Sequence, residues 1–152
     1  MRKRLAWITL FSVTIVVTAM YHTRKVHATP VQDDHRGCSV ASLKGTYGFR
    51  RTGVNNVGPI AEIGLDVFNG DGTRQIIRST RSGNGEIQQW HEGPSGTYIV
   101  HWDCTGALFD ADGTTRSHNL VVLDGGKRFI LLSVRPGTII TAEGERLEEG
   151  QE

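Results

Sequence analysis

Cysteine is scarce in this chain of 152 residues: only Cys38 and Cys104 are present. Two thiols allow one internal disulfide and cannot alone complete a structural zinc site. Signature catalytic motifs are also missing. There is no G-x-S-x-G elbow and no P-loop, Gly93-Pro94-Ser95-Gly96 reads as a turn, and His91-Glu92-Gly93 is not a zincin helix. Beyond the N-terminal segment no run of ten or more residues carries a clear helical period. Nothing in the residues calls for a cofactor or a metal.

What is present begins with a tripartite N-terminus. Arg2, Lys3 and Arg4 are followed by an uncharged run of 16 residues, Leu5 to Met20, then by polar and basic residues and Val26-His27-Ala28. This is the pattern of a secretory signal peptide over 1–28, with cleavage predicted after Ala28. The competing reading is a retained anchor, but a spanning helix usually needs about 20 apolar residues and this run is rich in Ser and Thr. A lipid anchor at Cys38 is disfavoured, because His35-Arg36-Gly37 precedes it. The chain is therefore expected to be exported, to the periplasm or outside the cell, and to meet the membrane only through the signal before cleavage.

Removal of the signal changes the charge. Five of the 17 basic residues and none of the 16 acidic ones precede Thr29, so 29–152 carries 12 basic against 16 acidic residues, a net charge of −4. A nucleic-acid partner, which usually calls for a basic surface, is not expected. The remaining 124 residues suit one domain with a real core.

All 19 glycines lie in this part, as punctuation: Asn69-Gly70-Asp71-Gly72, Gly83-Asn84-Gly85, Asp112-Gly113, Asp124-Gly125-Gly126, Pro136-Gly137. Gly and Asn tolerate the positive φ of tight hairpins. Between them, after a possible helical turn at Ser39–Leu43, lie runs rich in β-branched and aromatic residues. Strands are predicted at Thr46–Thr52, Ile60–Phe68, Thr73–Arg81, Glu86–Glu92, Thr97–Asp103, His118–Leu123, Arg128–Val134 and Thr138–Ala142, with a weak ninth at Ala107–Phe109. Short connections favour a meander, and closure into an up-and-down antiparallel barrel of about eight strands removes its edges. The expected organisation is signal 1–28, linker 29–37, all-β barrel 38–144 and a charged, frayed tail 145–152.

Alternation assigns faces. On the second run Ala61, Ile63, Leu65 and Val67 oppose Ile60, Glu62, Gly64, Asp66 and Phe68; on the fifth, Tyr98, Val100 and Trp102 oppose Thr97, Ile99, His101 and Asp103. A water-soluble barrel normally turns its apolar face inward. Export favours oxidation of Cys38 and Cys104 to a disulfide closing a 66-residue separation, which the chain-entropy picture values at about 4 kcal/mol. A reactive thiol or metal pair is the alternative.

Cys38-Ser39-Val40-Ala41-Ser42-Leu43-Lys44-Gly45-Thr46-Tyr47-Gly48-Phe49, Phe68-Asn69-Gly70-Asp71-Gly72, Gly96-Thr97-Tyr98-Ile99-Val100 and Asp103-Cys104-Thr105-Gly106 together resemble a group of small exported bacterial proteins with an allene-oxide-cyclase-like, calycin-type barrel. The resemblance spans roughly 38–144. It implies a barrel with its two cysteines paired. It carries over no active-site residue and does not imply cyclase chemistry.

Candidate site residues are few. Trp90, Tyr98 and Trp102 sit on neighbouring predicted strands and are the ligand-binding candidates, set against plain core packing together with Tyr47, Phe49 and Phe68. His91, His101 and Asp103 make a metal site geometrically conceivable, against rim histidines paired with carboxylates. Glu62 and Asp66 share a face but lie about 13 Å apart along a strand, too far for one reaction centre; exposure to solvent, or pairing with Arg74 or Arg78, is expected instead. Three functions follow: a barrel binding a small apolar molecule, an isomerase or cyclase acting on an oxidised lipid, and an envelope structural or interaction module.

Overall fold

The computed structural model describes residues 37–148; the expected signal peptide, nearly all of the linker and the end of the tail lie outside them. Nine strands form one antiparallel sheet: β1 (Gly45–Asn55), β2 (Gly58–Phe68), β3 (Thr73–Gly83), β4 (Glu86–His91), β5 (Ser95–Val100), β6 (Thr105–Phe109), β7 (Arg116–Leu123), β8 (Arg128–Ser133) and β9 (Ile139–Arg146). Eight close into a ring, running β1, β2, β3, β5, β6, β7, β8, β9 and back to β1. The all-β, eight-strand closed barrel expected from turn spacing is present, and its form is compatible with a calycin-type fold. A short 3-10 turn, Val40–Leu43, precedes β1, and a second, Asp124–Gly126, joins β7 to β8.

Local sequence explains the joints. Asn84 (φ 49°) and Gly85 (φ 82°) both take the left-handed conformation, and Gly83 pairs directly with Glu86. This is the two-residue hairpin that the Asn-Gly pair favours. The β1–β2 turn is held by the Asn55 side chain, which accepts from the Val57 and Gly58 N–H groups at 2.9 and 3.0 Å.

The meander expectation fails at one place. β4, read as a full member of the ring, lies outside it. It pairs with the outer half of β3 (Ser79 to Gly83), while β5 takes the inner half (Thr73 to Gln75). The segment Gly93-Pro94 makes the handover, bonding with Ile76 through the Gly93 N–H and the Pro94 carbonyl. A Cβ on Gly93 would press within 2.7 Å of Ile76 Cβ, so only glycine lets the chain cross here. No residue of β4 is buried. The weak candidate at Ala107–Phe109 is instead a ring strand, β6, with Gly106, Ala107 and Leu108 buried.

Two ends also move. β5 stops at Val100, because a turn from His101 to Cys104 follows, closed by the Cys104 N–H on the His101 carbonyl at 3.0 Å. The final strand runs past Ala142 to Arg146, whose N–H bonds the Lys127 carbonyl at 2.8 Å. The charged residues Glu143 and Glu145 face outward on a paired strand.

β2 turns its faces opposite to the usual rule. Ile60, Glu62, Asp66 and Phe68 point inward and are buried; Ala61 and Ile63 point to solvent, with Ile63 56% exposed. Each inward carboxylate meets a guanidinium from a neighbouring strand, as described below. Solvent exposure of Glu62 and Asp66 is thus overturned.

Candidate functional site

The barrel is sealed at one end and hollow at the other. At the sealed end Tyr47, Phe68, Tyr98 and Phe129 interlock, with ring centroids 5.0 to 5.4 Å apart. Edge-to-face and tilted contacts of this kind add to ordinary burial. The 3-10 turn Val40–Leu43 lies across this end, with Leu43 wholly buried. Hydroxyls fasten it: Tyr98 donates to the Val40 carbonyl at 2.8 Å and accepts from the Gly70 N–H at 3.1 Å. Arg146 donates to the Ser42 carbonyl at 3.0 Å and to the Tyr47 hydroxyl at 3.2 Å. Tyr47 in turn donates to the Gly126 carbonyl. Gly126 (φ 90°) is required there, since a Cβ would collide with the Ser42 carbonyl.

Cys38 and Cys104 are bonded to each other, tying the segment before this plug to the start of β6. The pairing agrees with the sequence expectation, and no free cysteine remains.

The other end contains a cavity of about 270 Å³. Its apolar lining is made by Phe49, Ile60, Ile76, Leu131, Ile140 and Ala142, with Ile60 and Ile140 nearest the open rim. Its polar lining is Arg51, Arg74, Arg81, Arg135, Asp66, Asp110, Ser117 and His118, with the Asp66 and Arg74 pair deepest, where Arg74 lies over the Phe68 ring of the plug. Strand alternation places most of these side chains; the consecutive Ser117 and His118 both reach the cavity at a register shift of β7, where Leu108 pairs with His118 and Phe109 with Arg116.

Charge on the wall is organised in pairs. Arg74 grips Asp66 with two nitrogens, Nη2 at 2.6 Å and Nε at 3.1 Å, with both side chains almost wholly buried. The predicted Arg74 partner is therefore found. Arg51 Nε donates to Glu62 at 2.7 Å, so Glu62 is paired across β1 and not with Arg78. Arg135 holds Asp110 at the rim. Burial pushes the Asp66 carboxyl above its usual range, outweighing the lowering effect of Arg74. His118 is driven the other way, to about 4, first by burial and then by the positive charges of Arg51, Arg74 and Arg135. Its Nδ1 is buried and has no hydrogen-bond partner among the described residues.

The His118 shift has a consequence for stability. The folded form releases its proton far below the ordinary value of 6.5, so the unfolded chain binds more protons between about pH 6.5 and 4. The stabilisation is whole above that window and is lost as pH falls through it, about 3 kcal/mol in total. His118→Gln is expected to flatten this part of the stability profile, measured as urea midpoints at a series of pH values across the window. An unchanged slope would show that His118 is not the group responsible.

The three aromatic candidates do not converge. Trp90 and Trp102 are 59% and 80% exposed on the outside, and Tyr98 belongs to the sealed plug. None of them lines the cavity. Arg78 lies over the Trp90 ring at 5.2 Å, on the outer surface. Core packing accounts for Tyr47, Phe49, Phe68 and Tyr98. The His91, His101 and Asp103 set is not assembled. His91 Nε2 lies 3.4 Å from Ser79 Oγ, and Asp103 accepts from the Thr105 N–H and hydroxyl within the turn. Among the described residues no group of three His, Cys, Asp or Glu is placed to hold a metal ion.

The residues that do line the cavity were mostly missed from sequence. The usable signal was Glu62 and Asp66 on one face of a strand flanked by strands bearing Arg51, Arg74 and Arg81. Carboxylates and guanidiniums on facing strands mark a wet interior as readily as a wet exterior. No protein-family model, curated protein or solved structure matches the chain, so the reading of this site stands on its own geometry.

Proposed function

We propose that the protein is an exported barrel that binds a small molecule in the cavity at its open end. The observation that carries this reading is the cavity itself, with apolar and polar side chains lining one partly enclosed space. That combination is the usual form of a small-molecule site: apolar area for affinity and a few polar groups for orientation. The plug at the far end keeps the space blind. The volume lies just below the range of about 300–1,000 Å³ common for ligand pockets, which favours a compact molecule over an enclosed long-chain lipid. The paired cysteines fit an oxidising compartment. So does the signal-like N-terminus, and the resemblance to exported allene-oxide-cyclase-like barrels points the same way.

Native mass spectrometry of protein purified from its own host tests the reading. A reproducible small-molecule adduct is expected, reduced in Ala142→Leu, which enlarges a side chain that lines the cavity. Protein that carries no adduct and acquires none from a metabolite extract would overturn it.

One observation favours a second reading, an acid–base enzyme. His118 lines the cavity and its pKa is held down to about 4, so its imidazole is uncharged at neutral pH, the form a general base needs. Turnover abolished in His118→Gln with binding retained would establish that reading over simple binding.

A further inference from the structure

The cavity wall is unbalanced in charge. Arg51 on β1, Glu62 on β2 and Arg81 on β3 form one cross-strand row: Glu62 is in register with Arg51 on one side and Arg81 on the other. One carboxylate thus lies between two guanidiniums. Arg51 takes it. Arg81 reaches no carboxylate among the described residues, yet it lines the same cavity and is half-buried. The other wall cations are matched, Arg74 by Asp66 and Arg135 by Asp110. Four guanidiniums therefore meet three carboxylates, leaving one positive charge in excess inside a chain whose residues 29–152 carry a net charge of −4. A cation facing a partly enclosed, low-dielectric space attracts an anion more strongly than one in open water. A guanidinium also presents the fork that fits a carboxylate bidentately.

We propose that the cavity takes a compact organic monoanion, a carboxylate on a small aryl or branched alkyl body, with the carboxylate held by Arg81 and the body against the apolar lining, which includes Ile60, Ile76 and Ile140. This rests on the small-molecule reading above and names its ligand class. The anion supplies the missing partner of the row and brings the wall to neutrality. The His118 ring lines the same cavity. Arg51 and Arg74 are already committed to carboxylates, so specificity falls on Arg81.

The test sets carboxylates against their neutral amides of equal shape. Benzoate, phenylacetate and 3-methylbutyrate are titrated beside benzamide, phenylacetamide and 3-methylbutyramide, by calorimetry and by backbone amide shifts. The carboxylates are expected to bind about tenfold or more tightly than the amides, the value of one charge-assisted contact, and to shift Ser117 and His118. Arg81→Gln should remove the preference and Arg81→Lys should keep part of it, with circular dichroism confirming that both variants fold. Amides that bind as well as carboxylates would overturn the anion assignment and leave the small-molecule reading standing. If neither class shifts the cavity residues, both readings fall.

Discussion

Asp66→Ala is expected to destabilise the barrel by about 3–5 kcal/mol, the usual cost of removing one member of a buried ion pair. The substitution leaves the Arg74 guanidinium, whose side chain is only 10% exposed, facing the interior without its carboxylate. It is not a statement that the pair itself stabilises the fold. Burial already raises the Asp66 carboxyl above its usual range despite Arg74, so taking the charge out of water outweighs the attraction. A group that holds its proton more tightly when folded adds stability as pH falls through the window between its unfolded and folded values. The double variant Asp66→Leu/Arg74→Met should accordingly lie near the wild type or above it. Urea denaturation of the single and double variants at neutral pH separates the two effects. A single variant within about 1 kcal/mol of wild type would mean that Arg74 finds water or another partner once Asp66 is gone.

This pair also explains how far the sequence could be read. Strand number, closure and most turns were legible because they depend on local chemistry, such as Asn84-Gly85 in its hairpin and the short links between β1, β2 and β3. The orientation of β2 was not. Its period of two was plain, but which face turns inward depends on whether Glu62 and Asp66 meet cations on adjacent strands, a non-local fact. A one-face error there hides the site, because Asp66 and the arginines that meet the two carboxylates line it. Ring membership failed for a related reason. Glu86–His91 has good strand composition, yet Gly93 and Pro94 return the chain to Ile76 and give the edge of β3 to β5. Ala107–Phe109 looks weak, being short and containing no β-branched residue, yet neighbours on both sides pair with it. Aromatic residues drew attention as cavity lining because ligand sites and cores use the same side chains. Here the buried rings plug one end, and the two exposed tryptophans stand outside.

Loss of the disulfide should have the other large effect. Cys38→Ala/Cys104→Ala is expected to cost about 4 kcal/mol by the chain-entropy account for a 66-residue separation. Its place in the fold sharpens the expectation. Cys38 precedes the turn Val40–Leu43, which covers the aromatic plug, and its N–H is bonded to the Trp102 carbonyl at 3.0 Å. The turn has further fastenings, from Tyr98 to Val40 and from Arg146 to Ser42. Two outcomes are therefore physically distinct. If the bond acts by restricting the unfolded chain, urea unfolding shifts as one cooperative transition and amide exchange at Tyr47 and Leu120 accelerates together with that at Leu43. If it acts only by holding the lid, exchange at Ser42 and Leu43 accelerates alone and the main transition moves little. The first is expected, because Leu43 is wholly buried in one contiguous cluster with Tyr47 and Phe129, and a cover so packed cannot lift without exposing the cluster beneath it.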